Sequence, residues 1–272
     1  MNGAARWNGP SGQAWVQTQA LMDQMYRPLE ELLVEAVSAR RPRRVLDVGC
    51  GTGGTTVAVA GRLSAGTRCL GVDVSEPMLE AARTRGGRAS FLHADVQEHE
   101  WEPGSFDLIM SRFGVMFFDD PVRAFGHLRR GATDDAGLVL VAWRDVAENP
   151  FMTVAERAAA PLLPDLPPRR PDAPGQFGFA DAGRVRSILD AAGWTGVTVE
   201  PVDVTCTFPE RELVGYFTRL GPVGLALPGV DDETRAKVID MVRPAFAPYV
   251  HGDEVRFTAA CWWVTGGNHP FR

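Results

Sequence analysis

The stretch Arg44–Thr56 reads RVLDVGCGTGGTT. Val45, Leu46 and Val48 form a short apolar run, β-branched at two of three positions, the composition of a strand buried in a parallel sheet. Asp47 lies inside that run, close to its C-terminal end. Gly49, Gly51 and Gly53 follow on alternate positions, and Thr55 to Leu63 is compatible with a helix. Glycine lets the backbone turn sharply and lets a ligand approach with no Cβ in the way. Strand, glycine turn and helix in this order predict a nucleotide site at the carboxyl edge of a parallel sheet.

The glycine spacing narrows the choice of nucleotide. Dinucleotide sites use G-x-G-x-x-G and set a pyrophosphate on the helix N-terminus. Here the pattern is D-x-G-x-G-x-G, with a carboxylate two residues ahead of the first glycine. An acid aimed at a pyrophosphate repels it, whereas it suits a cationic, amine-bearing ligand. Over Val45–Gly53 the chain resembles the class I methyltransferases that depend on S-adenosyl-L-methionine (SAM), whose first motif is commonly V-L-D-x-G-C-G-T-G. SAM carries an ammonium and a sulfonium and no phosphate. The resemblance implies that Asp47, Gly49, Cys50, Gly51, Thr52 and Gly53 belong to the cofactor site, with S-adenosyl-L-homocysteine (SAH) as product.

Later motifs extend the resemblance. A second strand over Thr67–Val72 ends in Asp73, twenty residues beyond Gly53, where an acid reaches the two ribose hydroxyls of a nucleoside. Ser75 fills the N-cap of the following helix, with Val74 and Met78 beside it. The third strand, Ala89–His93, precedes Asp95 and Val96, the positions that in the resembled family meet the adenine. After a fourth strand, Phe106–Met110, the residues Ser111, Arg112 and Phe113 fall where the family contacts the methionine end of SAM and faces the acceptor. A fifth strand is expected over Gly137–Trp143, a sixth over Val197–Thr207 and a seventh over Glu254–Val264. Alternating strands and helices predict an α/β doubly wound sheet. The family adds a mainly parallel seven-stranded order with the last strand antiparallel.

Around this core three segments read as additions. Residues 1–40 predict a helical N-terminal arm, either a lid over the site or an anchor docked by Trp7 and Trp15, ahead of a binding domain at 41–272. Cap segments are expected at about 145–180, where one helix over Phe151–Ala160 precedes a proline-rich stretch, and at 209–250. The caps supply Phe151, Met152, Phe177, Phe179, Tyr216, Phe217, Leu225, Leu227, Phe246 and Tyr249, which either line an apolar pocket or seal the cap on the core.

Composition limits the partners. Of 272 residues 45% are hydrophobic, enough for a substantial core, and the net charge of −6 argues against a nucleic-acid footprint. Four cysteines without paired or metal-like spacing suit reduced thiols, and no apolar run is long enough to span a membrane. The expectation is a cytoplasmic enzyme with a small-molecule methyl acceptor, no nucleic acid, no membrane, no metal, and room for a homodimer. Methyl transfer is an in-line displacement on an already activated carbon, so holding the groups in line is the main requirement. For a hydroxyl or enol acceptor a base helps, and Arg112, Glu148 and His251 are the candidate catalytic residues by position. The acceptor expected is a small, largely apolar compound of secondary or lipid-like metabolism. Two alternatives stand beside it: a relative that keeps SAM without methyl transfer, such as a cyclase, and an NAD-dependent oxidoreductase.

Overall fold

The computed structural model describes residues 5, 7–170 and 173–269, so residues 1–4 and 6 of the expected arm, Pro171 and Asp172 of the proline-rich segment, and the last three residues lie outside it. Its centre is one sheet with the order β3-β2-β1-β4-β5-β8-β6. The strands are β1 (Arg44–Val48), β2 (Arg68–Asp73), β3 (Ala89–His93), β4 (Phe106–Arg112), β5 (Ala132–Trp143), β6 (Thr195–Pro209) and β8 (Glu254–Gly267). Strands β1 to β5 are parallel, while β8 runs antiparallel between β5 and β6. This is the doubly wound seven-stranded arrangement with its last long strand reversed. A two-residue strand, β7 (Val250–His251), pairs with the start of β8 and was not anticipated, because a hairpin this short has no hydrophobic run of its own.

Side chains of β1 alternate between the two faces, as a strand requires. Val45 packs with Leu108, Met110 and Val139 against Leu33 and Val37 of the helix Arg27–Ala39 and against Val59 of the helix Gly54–Arg62 and Leu63 just past its end. Leu46 and Val48 join the larger core on the other face. Buried on both sides, β1 has no solvated face, which is why its sequence is nearly continuous in apolar residues.

Differences from expectation have local causes. Strand β4 runs two residues further than Met110, placing Ser111 and Arg112 on the strand and leaving Phe113 to start the loop. The helix expected over Phe151–Ala160 divides into a 3₁₀ turn, Pro150–Thr153, and a helix, Val154–Ala159. The 209–250 cap contains the helix Asp232–Ala245, with Pro244 in its last turn. Strands β6 and β8 are longer than their apolar runs because they pair with each other over Thr198–Pro209 and Glu254–Thr265, so each supplies the partner that keeps the other extended. The Arg40–Arg44 run lies at the amino-terminal edge of β1, with Arg40, Arg41 and Arg43 exposed.

Candidate active site

Strands β1 and β2 lie to one side of the β1/β4 boundary and β4 and β5 to the other, so the chain reverses its winding there and leaves a crevice at the carboxyl ends of the strands. Glycines set the width of that crevice. Gly49 has φ +67°, and a Cβ on it would stand 2.6 Å from the Gly114 Cα. A Cβ on Gly114 would stand 2.5 Å from the Val48 carbonyl oxygen. The loops after β1 and β4 therefore touch backbone to backbone. Gly51, at φ +55°, is different: its Cβ would meet only Met78 Sδ at 3.8 Å, so its exposed side faces open space.

That space is a cleft open to solvent. Of the residues named from sequence, Gly49, Cys50, Gly51, Thr52, Asp73, Val74, Met78, Asp95, Val96, Arg112 and Phe113 line it. Asp73 ends β2 with only 8% of its surface exposed. It accepts hydrogen bonds from Gly51 N (2.8 Å) and Ser75 N (2.9 Å), joining the glycine loop to the turn after β2. Burial holds its carboxyl above the usual range, while those backbone donors pull it back. Asp95 accepts from Gln97 N at 2.9 Å and from Gln97 Nε2 at 3.2 Å, which fixes its carboxylate at the other end of the cleft. Phe113 sits at φ +70°, a strained conformation for a side-chain-bearing residue. It is held there by stacking on Trp143 at 4.7 Å between ring centroids and by the edge of Tyr26 at 5.3 Å.

Asp47, Gly53 and Ser111 do not line the cleft; they lie behind its wall. Asp47 accepts from Thr56 Oγ1 at 2.6 Å, tying β1 to the first turn of the next helix, and burial pushes its carboxyl up to about 7. Gly53, at φ +77°, packs where a Cβ would collide with Phe91 and Ala82. Ser111 Oγ donates to the Val48 carbonyl at 2.7 Å and accepts from Gly114 N at 3.2 Å, which locks the two glycine loops together.

Two catalytic candidates are not brought to the cleft. Glu148 has a side chain 45% exposed and is ion-paired with Arg144, four residues earlier on the outer surface. His251 is exposed on β7, opposite Glu254 at the tip of the ribbon. Position after a strand does not set the direction of a side chain, and local ion pairing took Glu148 outward. The cap aromatics are not cleft walls either. Phe151 stacks on Phe257 with centroids 4.0 Å apart and is ringed by Phe208, Tyr216, Phe246 and Tyr249. These rings seal the cap on the sheet.

The apolar rim of the cleft comes instead from the N-terminal arm and the loop after β4: Trp7, Trp15, Met22, Phe117 and Phe118. The rings of Trp7 and Phe117 meet edge to face at 5.0 Å, and Trp7 meets Trp15 at 6.3 Å. Ser75 Oγ donates to the Trp7 carbonyl at 2.7 Å, Asn8 Nδ2 donates to the Val74 carbonyl at 2.7 Å, and Glu76 N donates to Asn8 Oδ1 at 3.0 Å. The arm thus grips the turn that presents Asp73. Asp23, Gln97 and Gly114 also line the cleft without having been singled out from sequence. Only the tryptophan pair carried a signal, and its contacts are far away along the chain. Among the described residues no group of three or more His, Cys, Asp or Glu converges as a metal site, and no helix is long and apolar enough to cross a membrane.

The cleft suits a nucleoside with a charged tail. It has glycine backbone open to a ligand, a recessed carboxylate at the end of β2, and a guanidinium, that of Arg112, at the end of β4. Residues 45–134 match the methyltransferase domain family. The chain is 26% identical over 261 residues to nocamycin O-methyltransferase of Saccharothrix syringae, covering 91% of this chain and 93% of that one. It is 26% identical over 180 residues to demethylmenaquinone methyltransferase of Renibacterium salmoninarum, covering 63% and 75%. Among solved structures, the YcgJ protein from Bacillus subtilis superposes with a TM-score of 0.57 at 15% identity, over 89% of this chain and 98% of that one. Phosphoethanolamine N-methyltransferase 2 of Haemonchus contortus, solved with SAM, superposes at 0.51 and 16% identity, over 88% and 52%. Motif, sheet order, the matched methyltransferase domain and the relatives together support a class I SAM-dependent methyltransferase, with SAM as the methyl donor.

Proposed function

We propose that the enzyme methylates a small, largely apolar metabolite inside a cleft closed by its N-terminal arm. The observation that carries this reading is the rim of Trp7, Trp15, Met22, Phe117 and Phe118 facing the same space as the glycine loop and Asp73. Such a rim offers an acceptor apolar area and excludes water, and it offers a peptide or nucleic acid no charged track. Relatives named for nocamycin, demethylmenaquinone and tocopherol support a small organic acceptor.

In this reading Asp73 accepts the ribose hydroxyls, Asp95 and the backbone of Val96 meet the adenine, and Gly49 to Thr52 meet the amino-acid portion. Bound SAM supplies a methyl group already activated by its sulfonium. The protein's task is then orientation and exclusion of water, and orientation of this kind contributes roughly 7–11 kcal/mol to such reactions. Asp47, Gly53 and Ser111 act by holding the loops, and the arm by closing over them.

The test is SAH formation from SAM across a panel of small acceptors, peptides and oligonucleotides, with calorimetric titration of SAM, SAH and NAD alongside. Turnover confined to small apolar acceptors is the expected result. Methylation of peptides or oligonucleotides overturns the substrate class. Tight SAM binding with conversion of a substrate but no methyl transfer selects the cyclase-like alternative.

A further inference from the structure

We infer that the edge of the sheet opposite the SAM cleft holds a second binding site, for a small anion carrying two or more phosphate groups. At that edge the starts of β1, β4, β5 and β6 and the end of β8 stand side by side and form a recess. Its charged side chains are Arg40, Arg41, Arg43 and Arg44 with Asp107 and Asp135, and it shares no lining residue with the cleft. Both acids are already engaged. Asp107 accepts from the backbone N–H of Arg43 at 3.0 Å and of Arg44 at 2.9 Å, and Asp135 accepts from Thr133 Oγ1 at 2.8 Å. Among the described residues none of the four guanidiniums makes a hydrogen bond or an ion pair. The end of the helix Arg27–Ala39 favours one cation beside it. Four guanidiniums in the five residues Arg40–Arg44 exceed that need, and they repel one another.

Two backbone features serve the cluster. Arg41 has φ +49°, the left-handed conformation that a helix end usually gives to glycine, so an arginine takes it at a cost in strain. Gly137, on β5, stands where a Cβ would lie 2.3 Å from Arg40 Nη1, and its φ is not in the left-handed region. What this glycine supplies is room for the guanidinium. Arg40 thereby carries the charge of the β1 edge to β5, two strands away. Neighbouring strands lie about 4.8 Å apart, so the cationic span is roughly 10 Å. That length suits two or three linked phosphates better than one, and it is too short for a nucleic-acid track, which the net charge of −6 also disfavours. Guanidinium forks match phosphate oxygens in pairs.

The test is calorimetric titration with inorganic tripolyphosphate, phosphate, citrate and ATP at about 0.1 M salt, where longer-range attraction is screened. It is run with and without SAH, so that the second site is read separately from the first. The expected result is one tripolyphosphate per chain, unaffected by SAH and bound at least tenfold more tightly than phosphate or citrate. Arg40→Gln and Arg43→Gln each weaken it tenfold or more, and Gly137→Ala, which moves a guanidinium without changing the charge, weakens it threefold or more. Arg27→Gln removes the same charge at the far end of the helix and leaves the affinity within twofold. SAH affinity within twofold of wild type shows that a variant is folded, and if either arginine variant does not fold the other decides. ATP binding as tightly as tripolyphosphate identifies a nucleotide as the occupant, and tripolyphosphate alone identifies a free polyphosphate. No saturable binding overturns the site, as do equal losses in Arg27→Gln and Arg40→Gln. Unchanged affinity in Gly137→Ala reduces the recess to exposed charge and also overturns it. Citrate or phosphate binding as tightly as tripolyphosphate overturns the ligand class.

Discussion

Residues 42–143 and 144–267 build one sheet in opposite ways. The first half buries Asp47, Thr52, Thr55, Thr56, Asp73, Ser75 and Ser111 at the carboxyl edge of its strands, whereas among the described residues the second buries Asn149 and Thr153, with Asn268 just past its end. Each of those buried polar groups is costly unless it is bonded, so their concentration marks where the fold spends stability on a site. The second half instead spends its surface on aromatic packing around Phe151 and on the β6–β8 ribbon. The glycine loops and strand ends of the cleft lie in one half, and the large aromatic cluster in the other.

The sharpest way to break this comparison is Phe151→Ala. Removing a fully buried ring stacked on Phe257 should lower the unfolding free energy by about 3–5 kcal/mol while leaving the SAH dissociation constant within twofold, read by denaturant unfolding and calorimetry. Next is Asp47, whose carboxyl is pushed up to about 7 in the fold from the usual 3.8. Between about pH 4 and pH 7 the folded chain keeps a proton that the unfolded chain has released. Stability should therefore fall as pH rises through that window, by on the order of 4 kcal/mol in all, and level off above it. Asp47→Asn should flatten that slope; an unchanged slope would mean that other groups dominate.

Gly114→Val drives a branched side chain into the Val48 carbonyl and should weaken SAH by on the order of 100-fold, about 2.7 kcal/mol. Asp73→Asn keeps the shape but loses the charge, and should cost about 1–3 kcal/mol in SAH affinity by calorimetry. If both variants bind SAH normally while Phe151→Ala does not, the division between the halves is reversed.

Local encoding explains what was legible. The glycine turn, Asp73 at the end of β2 and Asp95 after β3 are set by neighbours within a few residues, and the structure gathers eleven of the fourteen residues named for the cofactor around one cleft. Asp47 and Ser111, at the ends of their strands, and Gly53 lie behind the cleft wall, because what a residue faces depends on packing partners such as Thr56 and Phe91. The arm was not legible in detail: Asn8 meets Val74 across 66 residues of chain, and no spacing rule connects them. Nothing in the sequence said that Arg144 would claim Glu148, whereas of the two readings open for the cap aromatics the rings around Phe151 take the sealing one and leave the cleft to Trp7 and Phe117.

The grip of Trp7 and Asn8 on the Asp73 turn has a practical side. Anything that pulls on the arm at Trp7 also pulls on the turn that carries Asp73, through the hydrogen bonds of Trp7 and Asn8, and on the ring that meets Phe117. Handles for immobilisation, dyes for fluorescence and fusion partners for crystallisation therefore belong away from the Trp7–Asn8 contact rather than upon it.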